Sequence, residues 1–501
     1  MTPASDGRPR QPPMVFGLLL LVAWTLIWFR WGWVGYIGSD DWVYILNARD
    51  RIVDPFLIGT NHWQVRLTLT LPMAAALGML GESELAAALP TLLYAGATAA
   101  LVLAYLWRRA GAGAALMASA LLAASPLLVV NATSLRIDAV ENFYVVASLL
   151  SLLVALEREG DARWMLGSGV LAGLAFATRP TAVALLAFHG LLFVLGHGVP
   201  RRRYVPVLVG FLAIWLAETA YYWHATGRLF YRFGVDFHHD QVVRAGTLLD
   251  SVLFAPLRML LGSHSFGLAF WLLPLLVWAV GRRRQGVGAD PAAVSRVRLL
   301  ALFAAVWIVV FSAFASKLVL DPRYLAPALS AALVVAALAA STVWQSGRQV
   351  LAGLIVLSIL VVQALGLMLE NRNFLYAERW LVQLASARQE VVYTDPQTRE
   401  RAMFLLQLAG LEARTRAEPP PPGALFLAVP GNAARGQYNT VKWRPADYQA
   451  GPWAVEATLD PGRTLLGLAL QSWGLQGRLP ESVWTKLSQP NPPVHLLRRP
   501  E

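Results

Sequence analysis

Runs of about twenty apolar residues recur along this chain, each closed by a short polar or arginine-bearing stretch. A helix rises 1.5 Å per residue and bilayer hydrocarbon is about 30 Å thick, so a run of that length spans it. The pattern predicts eleven membrane helices, near residues 14–35, 84–107, 112–131, 139–156, 165–178, 180–197, 205–224, 264–281, 299–316, 325–343 and 349–368. The fifth and sixth are short and meet at Thr178, Arg179 and Pro180, so a broken or re-entrant pair buried among neighbours is the other reading.

Three stretches interrupt this rhythm: residues 36–83, residues 225–263 and a tail from about 370. The first two hold mixed segments such as TNHWQVRLTLTLPMAAALGML (60–80), which read as helices lying in the membrane interface. The tail runs VVYT (391–394), PQTRERAMFLLQLAG (396–410), a Pro-rich turn at 419–422 and ALFLAV (424–429). Strand, helix, strand in that order predicts a small α/β domain. The expected protein is α-helical and polytopic, with a membrane domain over 1–369 that includes an interfacial first loop at 36–83. An α/β domain over 370–501 follows, outside the membrane.

Composition agrees and narrows the classes. Charged residues are 14% of the 501, where a soluble chain carries about 25%, and the mean hydropathy is +0.50. The net charge of +12 would suggest nucleic acid in a soluble protein. Here only Lys317, Lys442 and Lys486 are lysines and the arginines gather between apolar runs, so topology accounts for the excess and nucleic acid is not a partner. With the N-terminus inside, alternate loops put fifteen Arg on one face, from Arg8 and Arg10 to Arg348. That face is cytoplasmic and the tail is extracytoplasmic. The absence of cysteine excludes disulfides and thiolate metal sites, and no internal repeat points to a transporter of inverted halves.

Three polar segments fall on the outer face. In GSDDWVYILNARD (38–50), Asp40 and Asp41 are adjacent acids just beyond the first membrane helix. One reading makes them a general base or metal ligands, the other makes them caps of the following helix. In SLRIDAVEN (134–142), Asp138 and Glu141 share a helix face and return to the same side of the membrane; a capping role is the alternative. In SKLVLDPRYLAPAL (316–329), Lys317, Arg323 and Tyr324 suit phosphate recognition, or anchor a helix at the interface. His264 opens the eighth run as a site candidate or an ordinary interface histidine. There is no phosphate-binding glycine loop and no dinucleotide fingerprint.

In this order and topology, SDDWVYILNARD, SLRIDAVENF, GLAFATRPTAV (173–183) and DPRYLAPAL resemble the C-type membrane glycosyltransferases, particularly the group similar to protein O-mannosyltransferases and lipid A aminoarabinose transferases. The resemblance spans about residues 14–345. It implies an inverting enzyme that moves a hexosyl or pentosyl group from a polyprenyl phosphate to a lipid, glycan or protein of the envelope, on the outer face of a bacterial cytoplasmic membrane. Membrane lipids surround it. It places Asp40 at the first-loop acid that acts as base or organiser, Asp41 beside it, Asp138 at the second acidic position, and Arg323 and Tyr324 near the lipid phosphate. Arg179 lies in the third segment. Where aminoarabinose transferases carry a Lys-Pro-Pro segment, this chain reads NHWQVRL, so His62 or Arg66 would substitute. A divalent metal on Asp40, Asp41 and Asp138 is left open. A polyprenyl-lipid transporter or flippase and a noncatalytic envelope assembly protein are the competing classes.

Overall fold

The computed structural model describes residues 13–239, 250–282, 291–314, 320–370, 375–429, 453–488 and 491–501. Each apolar run is helical. The first helix, α1 (Met14–Trp31), leads into a loop built from two helices, α2 (Asp40–Val53) and α3 (Leu67–Leu80). The buried Arg51 of α2 ties that loop together, donating to Asn47 Oδ1 at 3.0 Å, Pro55 O at 3.3 Å and Gln64 O at 3.1 Å. The chain then crosses as α4 (Glu84–Arg109) and turns back through α5 (Ala112–Ala124) and α6 (Pro126–Thr133), which meet at 60°. Pro126 causes the bend, because it has no N–H to continue α5 and instead starts a new helix at its first position.

Next come α7 (Ile137–Glu157), α8 (Ala162–Thr178), α9 (Val183–Leu195) and α10 (Val205–Thr226). α8 and α10 approach so closely that a Cβ added at Gly169 would sit 2.0 Å from Val207 O, and one at Gly210 2.4 Å from Leu166 O. Small residues permit that contact where lipid supplies no hydrophobic drive for helices to associate. The second interrupting stretch holds α11 (Tyr231–His239) and α12 (Ala255–Gly262). The bundle is completed by α13 (Ala269–Arg282), α14 (Pro291–Phe314), α15 (Ala326–Gln345) and α16 (Gln349–Glu370). α15 is buried along nearly its whole length and bonds to α7 through Ser330 Oγ, which donates to Asn142 Oδ1 at 2.9 Å.

The expected eleven crossings are not all long enough. Among the described residues seven helices have the length and composition to span a bilayer, or eight if the bent α5–α6 pair is one span. α8, with 17 residues, and the α9 and α13 segments fall short of about twenty.

The tail begins with α17 (Tyr376–Ala387) and continues as β1 (Val392–Thr394), α18 (Pro396–Ala409), β2 (Thr415–Arg416), β3 (Leu425–Ala428), β4 (Ala454–Leu459) and β5 (Val494–Arg498). The five strands form one sheet in the order β2-β1-β3-β5-β4, with β1 parallel to β2 and β3, and β5 antiparallel to β3 and β4. The expected strand–helix–strand unit is therefore present, as β1, α18 and β3. α17 and α18 cover the sheet core of Val392, Leu425, Leu427, Val494 and Leu496, and α18 also rests on the first loop through Phe404 and Leu405.

Candidate functional site

Where the bundle meets the first loop, the ends of five elements bring charged side chains together. α8 stops at Arg179 because the residue before a proline is disfavoured in the helical region; Arg179 is extended (φ −157°, ψ 132°) ahead of Pro180. Its guanidinium turns inward and donates to Asp138 Oδ1 at 2.5 Å, with Glu141 Oε2 at 3.9 Å. Thr181 Oγ1 donates to Glu141 Oε1 at 2.6 Å. Asp138 and Glu141, three residues apart, thus project together from α7, and all three charged groups are buried. Asp138 is not a helix cap: its Oδ1 meets Arg179, and its buried Oδ2 has no hydrogen-bond partner among the described residues.

Asp321 and Pro322 start a 3-10 turn in which Asp321 Oδ1 accepts from the Arg323 backbone N–H at 3.0 Å. That turn aims Arg323 at Asp40, Nη1 to Oδ2 at 3.3 Å. The Tyr324 ring meets two guanidiniums, with Arg179 Cζ 4.0 Å and Arg323 Cζ 5.5 Å from its centroid. Its face holds both cations at a fixed spacing. Arg66 completes the group: it donates to the Tyr44 hydroxyl, and its buried Nε has no hydrogen-bond partner among the described residues. Electrostatically Arg179, Arg323, Arg136 and Arg66 all act on Asp138.

The two adjacent acids separate in role. Asp40 is 36% exposed and faces the cluster. Asp41, expected beside it as a second reactive acid, is enclosed at 2% exposure and turned the other way. Its two oxygens accept from Ile37 N and Ser39 N at 2.6 Å each, so it shapes the turn that presents Asp40. Burial, outweighing these hydrogen bonds, and the neighbouring Asp40 push the Asp41 carboxyl up to about 6. A carboxyl whose folded value exceeds its unfolded one, 3.8, stabilises the fold below that lower value and loses the contribution as pH rises through about 6. The native protein is therefore expected to gain thermal stability relative to Asp41→Asn as pH falls from 7.5 to 4.5. The difference should reach about 3 kcal/mol at most and is read as paired melting curves in detergent. A gap that is flat or shrinks on acidification would overturn it.

Of the other expected residues, His62 lies against the ring of Trp63, centroids 3.6 Å apart and planes tilted by 38°. His264 pairs with Glu370 Oε1 at 3.0 Å, where Ser265 Oγ also donates at 2.6 Å, joining the start of α13 to the end of α16. Lys317 lies outside the described residues. The carboxylates do not converge as metal ligands: Asp41 is spent on backbone N–H groups and Asp138 on Arg179. Among the described residues no group of three His, Asp or Glu could hold a cation.

Sequence reasoning missed Tyr44, Arg136 and Arg232. Tyr44 sits one turn after Asp40 on α2, a spacing that was available. Arg136 precedes α7 after Leu135, whose φ of 55° is strained for a branched residue and turns the chain into the cluster. Arg232 of α11 reaches back to Phe176 O at 3.1 Å and to Glu218, capping the end of α8 just before Arg179.

A sequence profile of the dolichyl-phosphate-mannose-protein mannosyltransferases matches residues 59–223. The fold resembles ArnT from Cupriavidus metallidurans, in its apo state and bound to undecaprenyl phosphate, each with a TM-score of 0.54 and 16% identity over 88% of this chain and 96% of that one. It also resembles the oligosaccharyltransferase AglB from Archaeoglobus fulgidus in complex with an inhibitory peptide and a dolichol-phosphate, with a TM-score of 0.50 and 13% identity over 78% of this chain and 63% of that one. No curated protein matches in sequence. The chain has the C-type fold of membrane glycosyltransferases.

Proposed function

We propose that this protein is an inverting glycosyltransferase that takes a hexosyl or pentosyl group from a polyprenyl phosphate and passes it to an envelope acceptor. The observation that carries the reading is Asp40, a half-buried carboxylate held beside Arg323 at the edge of an arginine cluster. The acceptor hydroxyl oxygen attacks the anomeric carbon from the face opposite the phosphate while Asp40 takes its proton. The bond from that carbon to the phosphate oxygen breaks, and its electron pair leaves on the polyprenyl phosphate. Arg323, Arg66 and Arg179 neutralise the growing charge, and guanidinium geometry suits two phosphate oxygens at once. Asp138 and Glu141 hold Arg179 in place.

Two of the similar structures contain a polyprenyl phosphate, and the matching profile is named for a dolichyl-phosphate sugar donor. Both support this donor class. The arginine-rich loops at the opposite end of the bundle support a cytoplasmic position for that end, with the cluster and the sheet domain facing outward from a bacterial cytoplasmic membrane. Among the described residues the carboxylates do not converge on one position, so Asp40 and the arginines carry the proposed reaction.

The purified protein in detergent, given a panel of polyprenyl-phosphate sugars and an envelope extract, is expected to release free polyprenyl phosphate from at least one donor. Folded protein that releases none from any donor would overturn the transferase reading in favour of lipid transport or envelope assembly.

A further inference from the structure

We infer that the tail domain is the positioning element of Asp40, and that Arg401 on α18 is its positioning residue. The inference rests on the transferase reading of Asp40. The turn that carries Asp40 is not held by the membrane helices alone; α18 touches it on both sides. Gly38 adopts φ +63°, and a Cβ built on it would fall 2.7 Å from both Arg401 O and Arg401 Cβ, so loop backbone lies directly on helix backbone. Only glycine accepts both that conformation and that approach at little cost. Arg401 Nη2 donates to Ile37 O at 3.4 Å, while its Nε meets the buried Glu378 of α17 at 3.2 Å.

The contacts continue either side of the turn. Before it, Tyr36 meets Phe404 edge-on with centroids 5.1 Å apart. After it, Trp42 lies 6.4 Å from the same ring, and Arg49 donates to Gln407 Oε1 at 2.5 Å. A second clasp lies alongside: Arg379 of α17 donates to both oxygens of Glu84, at 3.0 and 2.8 Å, and Glu84 Oε2 also accepts from Tyr36 N at 3.2 Å. Inside the turn, Asp41 binds the N–H groups of Ile37 and Ser39. The peptide between residues 36 and 42 is thus fixed internally by Asp41 and externally by α18, leaving the Asp40 side chain as the part that faces the cluster. Releasing the external hold lets Asp40 move against Arg323 while the donor's arginines, all in the bundle and α3 entry, stay where they are.

Two variants test this from opposite sides of the contact, Arg401→Ala on the tail and Gly38→Ala on the loop, with Arg401→Lys as the conservative control. Each is expected to lower kcat about 10- to 100-fold with donor KM within twofold of native, as displacement of a reacting group by about 1 Å would do. Arg401→Lys should recover part of the loss. A spin label on a single cysteine at Ser39, in a chain that has no cysteine of its own, gives a readout independent of turnover. It is expected to be immobile in the native background and mobile in Arg401→Ala. Unchanged kcat in folded variants, a rise in KM with kcat intact, or an equally immobile label would each overturn the inference. Native protein that turns over no donor would instead count against the transferase reading, and the label would still decide whether α18 holds the turn.

Discussion

Asp40→Asn is expected to lower kcat by about 10²–10⁴-fold while leaving the donor bound as tightly as before, or more tightly. The amide is nearly the same size but cannot accept the acceptor's proton, so the loss falls on the chemical step. Donor affinity should not suffer, because Asp40 is the partner of Arg323 and its charge competes with a phosphate for that guanidinium. Single-turnover release of polyprenyl phosphate, set beside equilibrium binding of the donor, separates the two effects. If binding and turnover fall together, Asp40 is a donor ligand and the base lies elsewhere. Asp41→Asn is the matched control: its oxygens face Ile37 and Ser39 rather than the cluster, and an amide keeps only one of those two bonds, so kcat should fall less than for Asp40→Asn, within the about 10- to 100-fold expected when the turn loosens.

That control also marks how far the sequence could be read. Two adjacent acids after a membrane helix advertise a site, but spacing gives them equal standing. Only the path of the turn shows one exposed toward arginines and the other buried at 2% against its own backbone. Topology, by contrast, was legible from apolar periodicity, since alternate crossings bring Asp40, Asp138 and Arg323 to one end of the bundle, where the structure joins them. The number of crossings was not, because a short apolar helix inside a bundle and a full span have the same composition. Arg179 was visible as an arginine before a proline between two short runs, and Pro180 is what turns it inward. Arg401 was beyond reach: it lies 364 residues from Ile37 in sequence and meets it only in three dimensions.

The centre of the cluster sets the other large effect. Arg179→Met should destabilise the protein by about 3–5 kcal/mol and abolish turnover, because removing one member of a buried ion pair strands the other. Asp138 is badly placed to survive alone: one oxygen meets Arg179 at 2.5 Å, the other has no hydrogen-bond partner among the described residues, and Glu141 stands one turn away. Methionine keeps much of the side-chain volume against the Tyr324 ring, so the lost contribution is mainly charge. Stability and activity then come apart in the double variant Arg179→Met with Asp138→Leu. With both charges replaced by apolar groups, more than half of the lost stability should return, as buried pairs replaced outright often cost little. Turnover should not return, since the guanidinium proposed above to neutralise the leaving phosphate is gone. Melting curves in detergent and donor release on the three proteins read both outcomes. A single variant as stable as native would mean that the pair contributes no net stability, and a double variant that turned over would remove Arg179 from the phosphate seat, leaving Arg323 and Arg66 to carry the leaving group's charge.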